Sequence, residues 1–195
     1  MPKIISDYER EQTQIAIIKH TKQLILLKRG VRDITVDDIV RSVGLGKGSF
    51  YSYFKSKEEC LFRVLETAVV DVYEQIEAIK QYKISTREKV VKFLRDVYLA
   101  DDRVNYYFNT ADIQALFRKL PPEYAEMEQK FIGDGLINDI MEFMNINKVR
   151  AEAFFMMLKC IEFAYFSDSS KDAKDEVIDA LVQTIADYVE RHSTI

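Results

Sequence analysis

Little in this sequence punctuates it. Three prolines and six glycines stand in 195 residues, and four of the glycines (Gly30, Gly44, Gly46, Gly48) crowd into the first quarter. The remainder offers few turn-makers, which favours long helices over hairpins. Cysteine is equally scarce. Cys60 and Cys160 have no metal-ligand neighbours at useful spacing, and both read as reduced, buried core residues. The two histidines, His20 and His192, are isolated, and there is no nucleophile elbow, phosphate loop or His-Glu metal spacing. No catalytic residue, metal or cofactor is therefore expected. The longest nearly apolar run, Ala153 to Phe166, is about 14 residues and includes Lys159 and Glu162. That is too short and too charged to span a bilayer. Met1 to Ile5 runs straight into charged residues instead of forming a signal peptide. A cytoplasmic protein without a membrane partner is the expectation.

What is present is a large apolar inventory with an uneven charge. Hydrophobic residues make up 48% of the chain, enough for a substantial core. The net charge of −4 is unevenly spread: residues 1–60 hold 11 Lys+Arg against 8 Asp+Glu, a balance of +3. Residues 61–195 carry −7 and 18 of the 23 Tyr+Phe. Local charge, not the total, decides contact with phosphate.

Serine or threonine residues followed at the third position by an acid mark helix starts, among them Ser6/Glu9, Thr35/Asp38 and Ser85/Glu88. The first helix should stop at Gly30, behind Lys28 and Arg29. Ser56/Glu59 opens a helix expected to reach Tyr82, long enough to link the front of the chain to the rest. Tyr106–Lys119 reads as another helix, ended by Pro121-Pro122. The next contains Gly133-Asp134-Gly135 and is read as interrupted. Lys148–Phe166 is apolar almost all round, so it must be covered on every side. Asp175–His192 is amphipathic. Pairing of these two helices with their copies in a second chain would cover them, and Phe163, Ile178, Leu181 and Ile185 are the expected contacts.

The most informative stretch runs from Thr35 to Lys57, T-V-D-D-I-V-R-S-V-G-L-G-K-G-S-F-Y-S-Y-F-K-S-K. Two short helical patterns hinge at Gly44, where a tight turn needs positive φ. From Ile39 to Lys57 there is no acidic residue, while Arg41, Lys47, Lys55 and Lys57 are basic. A helix-turn-helix with one positive face is suited to a DNA major groove.

Gly44 to Glu59, G-L-G-K-G-S-F-Y-S-Y-F-K-S-K-E-E, resembles the recognition-helix signature of the tetracycline-repressor-like (TetR) transcriptional regulators. The resemblance covers roughly residues 8 to 65. It implies DNA contacts by Thr35, Lys47, Ser49, Tyr51, Ser52, Tyr53 and Lys57, with Phe50 and Phe54 in the small domain's core. It also implies an all-α fold of about nine helices: a DNA-binding domain over 1–55 and a ligand-binding and dimerisation domain over 56–195. The expected function is that of a ligand-released homodimeric repressor on a palindromic double-stranded operator, and not of an enzyme. Tyr98, Tyr106, Phe108, Phe117, Met127, Phe131 and Phe155 are candidate linings of a pocket for a small apolar or amphipathic effector. The alternative is a helical DNA-binding adaptor or nucleoid-associated protein without such an effector.

Overall fold

The computed structural model describes residues 6–108, 110–124, 126–127 and 134–193. Its elements are helical throughout, with no strand among the described residues. The helices are α1 (Asp7–Lys28), α2 (Val36–Val43), α3 (Lys47–Tyr53), α4 (Lys57–Lys80), α5 (Thr86–Lys92), α6 (Thr110–Phe117), α7 (Asp134–Met144), α8 (Lys148–Phe166) and α9 (Lys171–His192). A π-helical stretch, Phe93–Tyr98, continues α5, and a 3-10 turn, Val104–Tyr107, precedes α6. The expected helix over Tyr106–Lys119 is thus split, and the glycine-containing helix is described over Asp134–Met144, with residues 128–133 outside the described set.

Local chemistry sets the boundaries. The three capping boxes at Ser6/Glu9, Thr35/Asp38 and Ser85/Glu88 form in full, each hydroxyl accepting the third residue's amide and each acid accepting the cap's own. Two orphan donors are satisfied at each start. At the end of α1 the left-handed residue is Arg29 (φ 51°), one position ahead of the expected Gly30. Helix α9 starts at Lys171 behind the Ser170 cap, four residues earlier than the apolar pattern indicated.

The chain divides into two compact units, Met1–Val70 with Asp102–Glu128, and Asp71–Asp101 with Gln129–Ile195. Helix α4 is continuous and supplies residues to both. In the first unit α1 packs on α2 and on the 3-10 turn, and α2 packs on α3. Its core includes Ile17, Ile25, Ile34, Ile39, Phe50, Phe54, Phe62 and Leu65. In the second unit α9 packs against α5 and α8, and α7 against α8. Ile76, Leu94, Met144, Phe154, Ile161, Val182 and Ile185 are buried at its centre.

The cysteines do not form the buried pair the sequence suggested. Cys60 is buried in the first unit and Cys160 is exposed on α8. Burial pushes the Cys60 thiol up to about 11, against a partial offset from the Thr21 hydroxyl 3.5 Å away. Thiolate chemistry at Cys60 is thereby suppressed.

Candidate nucleic-acid interface

Helix α2 ends at Gly44, whose φ of 69° lies in the left-handed region that a side chain would strain. The Leu45 amide returns to the Val40 carbonyl at 2.9 Å, closing the turn. Helix α3 then has seven residues, too few to persist alone. Gly48 within it lowers its stability by about 1 kcal/mol relative to alanine. Packing supplies what propensity lacks: Phe50 and Phe54 are buried, their rings 5.6 Å apart, and they fix the inner face of α3. The outer face carries Lys47, Gly48, Ser49, Tyr51 and Ser52, all exposed. No Cβ built on Gly48 meets a neighbour within 4 Å, so that face is open.

The expected DNA-facing residues are not all equally free. Lys47 forms a salt bridge with Asp37 of α2 at 3.0 Å. Ser49 and Tyr51 point outward, and the Ser52 hydroxyl donates to the Ser49 carbonyl at 2.6 Å. Tyr53 is half-buried, with the Arg10 guanidinium over its ring, 5.5 Å from the centroid. The Thr35 hydroxyl is engaged by Asp38, donating to its carboxylate at 2.8 Å and accepting its amide at 3.1 Å. Lys57 is also half-turned inward, its ammonium donating to the Ile34 carbonyl at 2.9 Å. Lys28 holds the same loop from the other side, donating to Asp33 O and Asp38 Oδ2 at 2.8 Å each. The Lys28 hydrogen bond, followed by those from the Thr35 amide and hydroxyl, holds the Asp38 carboxyl well below the usual carboxylate range. Thr35, Lys28, Asp38 and Lys57 thus brace the approach to α2.

The candidate pocket residues are divided between the two compact units. Phe108, Phe117 and Met127 belong to the first unit, Tyr98 and Phe155 to the second. Phe108 lines an open cleft of about 190 Å³ in the first unit, with Val31, Leu61 and Leu116 as apolar wall. There the buried Asp112 carboxylate accepts from Arg32, and Lys119 pairs with Glu58 at 2.9 Å. Phe117 instead meets Phe62 edge-on at 5.8 Å, and Met127 is partly exposed. In the second unit the Tyr98 hydroxyl donates to Glu162 Oε1 at 2.9 Å, and Phe155 meets Phe154 edge-on at 5.6 Å. The Tyr106 side chain and all of Phe131 fall outside the described residues.

Of the four expected dimer contacts, Phe163 is 80% exposed while Ile185 is wholly buried. Ile185 packs inside its own unit, so it presents no surface to a second chain. Ile178 and Leu181 are half-buried against the same core. Sequence reasoning missed the exposed partners of Phe163. Val149 (68% exposed) and Met156 (72%) precede it at seven-residue intervals on α8. It also missed Arg10, whose partner Ser52 lies 42 residues along the chain, and Asp37, whose partner Lys47 lies across the turn on the next helix.

A short helix held on its inner face, behind a left-handed glycine, with a basic and hydroxyl-bearing outer face, defines a helix-turn-helix. Residues 17–64 match the family model described as bacterial regulatory proteins, tetR family. It is 37% identical over 62 residues to an uncharacterized HTH-type transcriptional regulator in the lacX 3' region of Lactococcus lactis subsp. lactis, 32% of this chain and 31% of that one. It is 36% identical over 59 residues to the HTH-type transcriptional regulator EthR of Mycobacterium tuberculosis, covering 30% of this chain and 27% of EthR. These matches thus take in less than a third of either relative's length.

Solved structures extend the likeness to the whole fold. A putative TetR-family transcriptional regulator from Mesorhizobium loti MAFF303099 aligns with a TM-score of 0.63 at 14% identity, over 95% of this chain and 98% of that one. RolR in complex with resorcinol aligns with a TM-score of 0.54 at 18% identity, over 97% and 99%. The all-α expectation is met, and no described helix is long and apolar enough to cross a membrane.

Proposed function

We propose that this chain is a homodimeric transcriptional repressor that reads a palindromic operator and is released from it by a small apolar or amphipathic ligand. The observation that carries the reading is the outer face of α3. Lys47, Ser49, Tyr51 and Ser52 stand clear there on a helix fixed from behind by Phe50 and Phe54. Tyr53 and Lys57 flank that face, and Thr35 caps the supporting helix. DNA reading is assigned to residues 1–55 and ligand binding and dimerisation to 56–195, a functional division that differs from the compact units.

A second copy is supported by α8. Val149, Met156 and Phe163 form an apolar stripe at the heptad spacing that packs one helix along another. A small ligand is supported by the aromatic and methionine side chains half-buried around the second unit's core, including Tyr98, Met141, Phe155 and Met157. Resorcinol bound to RolR is an instance of such a molecule in a protein of like fold. Because α4 is unbroken and serves both units, a ligand that favours one of its positions would change how two recognition helices are spaced.

The test is selection of genomic DNA by purified protein. Recovered sites should be pseudo-palindromes with half-sites about 34–36 Å apart, or a multiple of that. Failure to enrich any sequence over bulk DNA would refute operator reading. An operator that survives a broad panel of stoichiometrically bound ligands would favour an adaptor without an effector.

A further inference from the structure

We infer that Arg10 of α1 is a positioning residue for DNA recognition, clamping the far end of α3 from outside. The inference rests on the operator-reading proposal above. Phe54 leaves the helix with extended φ −133° and ψ 130°, so the last carbonyls of α3 lose the amides that would follow in a longer helix. One of them, Ser52 O, accepts from Arg10 Nη2. The same guanidinium lies over the Tyr53 ring, 5.5 Å from its centroid. A cation at a helix C-terminus also complements the negative end of its dipole. Arg10 itself is well anchored. Its amide returns to the Ser6 carbonyl at 2.9 Å, in the capped first turn of α1, and Ile17 further along that helix is buried.

The inner face of α3 is held by Phe50 and Phe54, and its amino end by the Gly44 turn. Arg10 adds a contact from outside at the carboxyl end, where Ser52 and the half-buried Tyr53 sit among the residues assigned to DNA. Arg10 holds both, one by its carbonyl and the other by its ring, although 42 residues separate Arg10 from Ser52. Guanidinium suits this role better than ammonium, because its planar fork donates to a carbonyl while its face lies on a ring.

The test uses the full-length protein, the operator recovered by genomic selection and a scrambled duplex of equal length. Arg10→Ala should weaken operator affinity at least tenfold, leaving scrambled-duplex affinity, salt slope and melting temperature at wild-type values. Arg10→Lys, which keeps charge but not the fork, should restore less than half of the lost log affinity. Arg10→Gln guards against a misfolded alanine variant, since it keeps a long polar side chain of good helix propensity without the guanidinium. Tyr53→Ala combined with Arg10→Ala should cost less than the two separately.

Three outcomes overturn the inference. Equal loss on both duplexes with a salt slope lower by about one would make Arg10 a phosphate contact. A lower melting temperature with parallel losses in all three variants would make it a fold residue, and unchanged operator affinity would leave it no role. Should the wild-type protein select no operator, the operator-reading proposal fails first, before any Arg10 variant is compared.

Discussion

Lys47, the first residue of α3, and Asp37, in the first turn of α2, face each other across the helix-turn-helix at 3.0 Å with both side chains more than half exposed. The assigned DNA face therefore carries its own competing anion. An exposed pair of this kind contributes about 0.2–1 kcal/mol, and Lys47 must exchange it for phosphate or a base edge. Asp37→Asn should raise operator affinity a few-fold and steepen its salt dependence, as read by titration at several salt concentrations. A lower affinity would show that the Asp37 contact orients Lys47 productively.

Lys47→Ala should weaken operator binding more than binding to unrelated DNA. Lys57→Ala should act differently, because its ammonium also holds the Ile34 carbonyl. A charge-assisted hydrogen bond of this type is worth about 1.5–3 kcal/mol. That variant should lower the melting temperature as well as affinity for both kinds of DNA. Calorimetry beside binding titrations distinguishes the two residues.

On α8 and α9, two apolar residues should give opposite results. Phe163→Glu, at an exposed position, should leave a folded monomer in sedimentation. Ile185→Glu would bury an unpaired charge at a cost on the order of several kcal/mol, and should unfold the second unit. A Phe163→Glu variant that remained a stable dimer would remove α8 from the interface. Cys160, exposed near this stripe, supplies a second readout. It should react with a thiol reagent in the monomeric variant and be protected in the wild-type dimer, while Cys60 reacts only on unfolding.

Acid should act on the start of α2. The Asp38 carboxyl is held ionised by Lys28 and Thr35, so its folded pKa lies below its unfolded value of about 3.9. A depressed carboxylate stabilises the fold fully above the unfolded pKa and loses that contribution as pH falls through the folded one. The stability advantage of the wild type over Asp38→Asn should hold at neutral pH and shrink as pH drops below about 4. Denaturant titrations across that range measure it.

Local rules carried far in this sequence. Capping boxes at Ser6, Thr35 and Ser85, and the left-handed Gly44, depend on neighbours within four residues and could be read directly. Apolar periodicity found α8 at its observed limits, yet it could not say which apolar side chains face inward. Phe163 and Ile185 look alike in sequence, and only their partners separate them. Aromatic content likewise indicates burial without giving an address, and the candidate pocket residues fall in both units. Arg10 on Ser52 and Arg32 on Asp112 join residues 42 and 80 apart, a separation over which no spacing rule operates.

The π-helical stretch from Phe93 to Tyr98 closes with the Leu99 amide on the Leu94 carbonyl, a span of five residues at 2.9 Å. Such a turn accommodates one residue more than an α-helix does. The register beyond it is therefore offset from the register of α5 before it. Deleting a single residue between Leu94 and Val97 should let the helix run on as ordinary α, with the residues after it close to their present faces. Tyr98 would stay within reach of Glu162, and Val90 and Phe93 would keep their places in the core, whereas inserting a further residue would not be absorbed in this way.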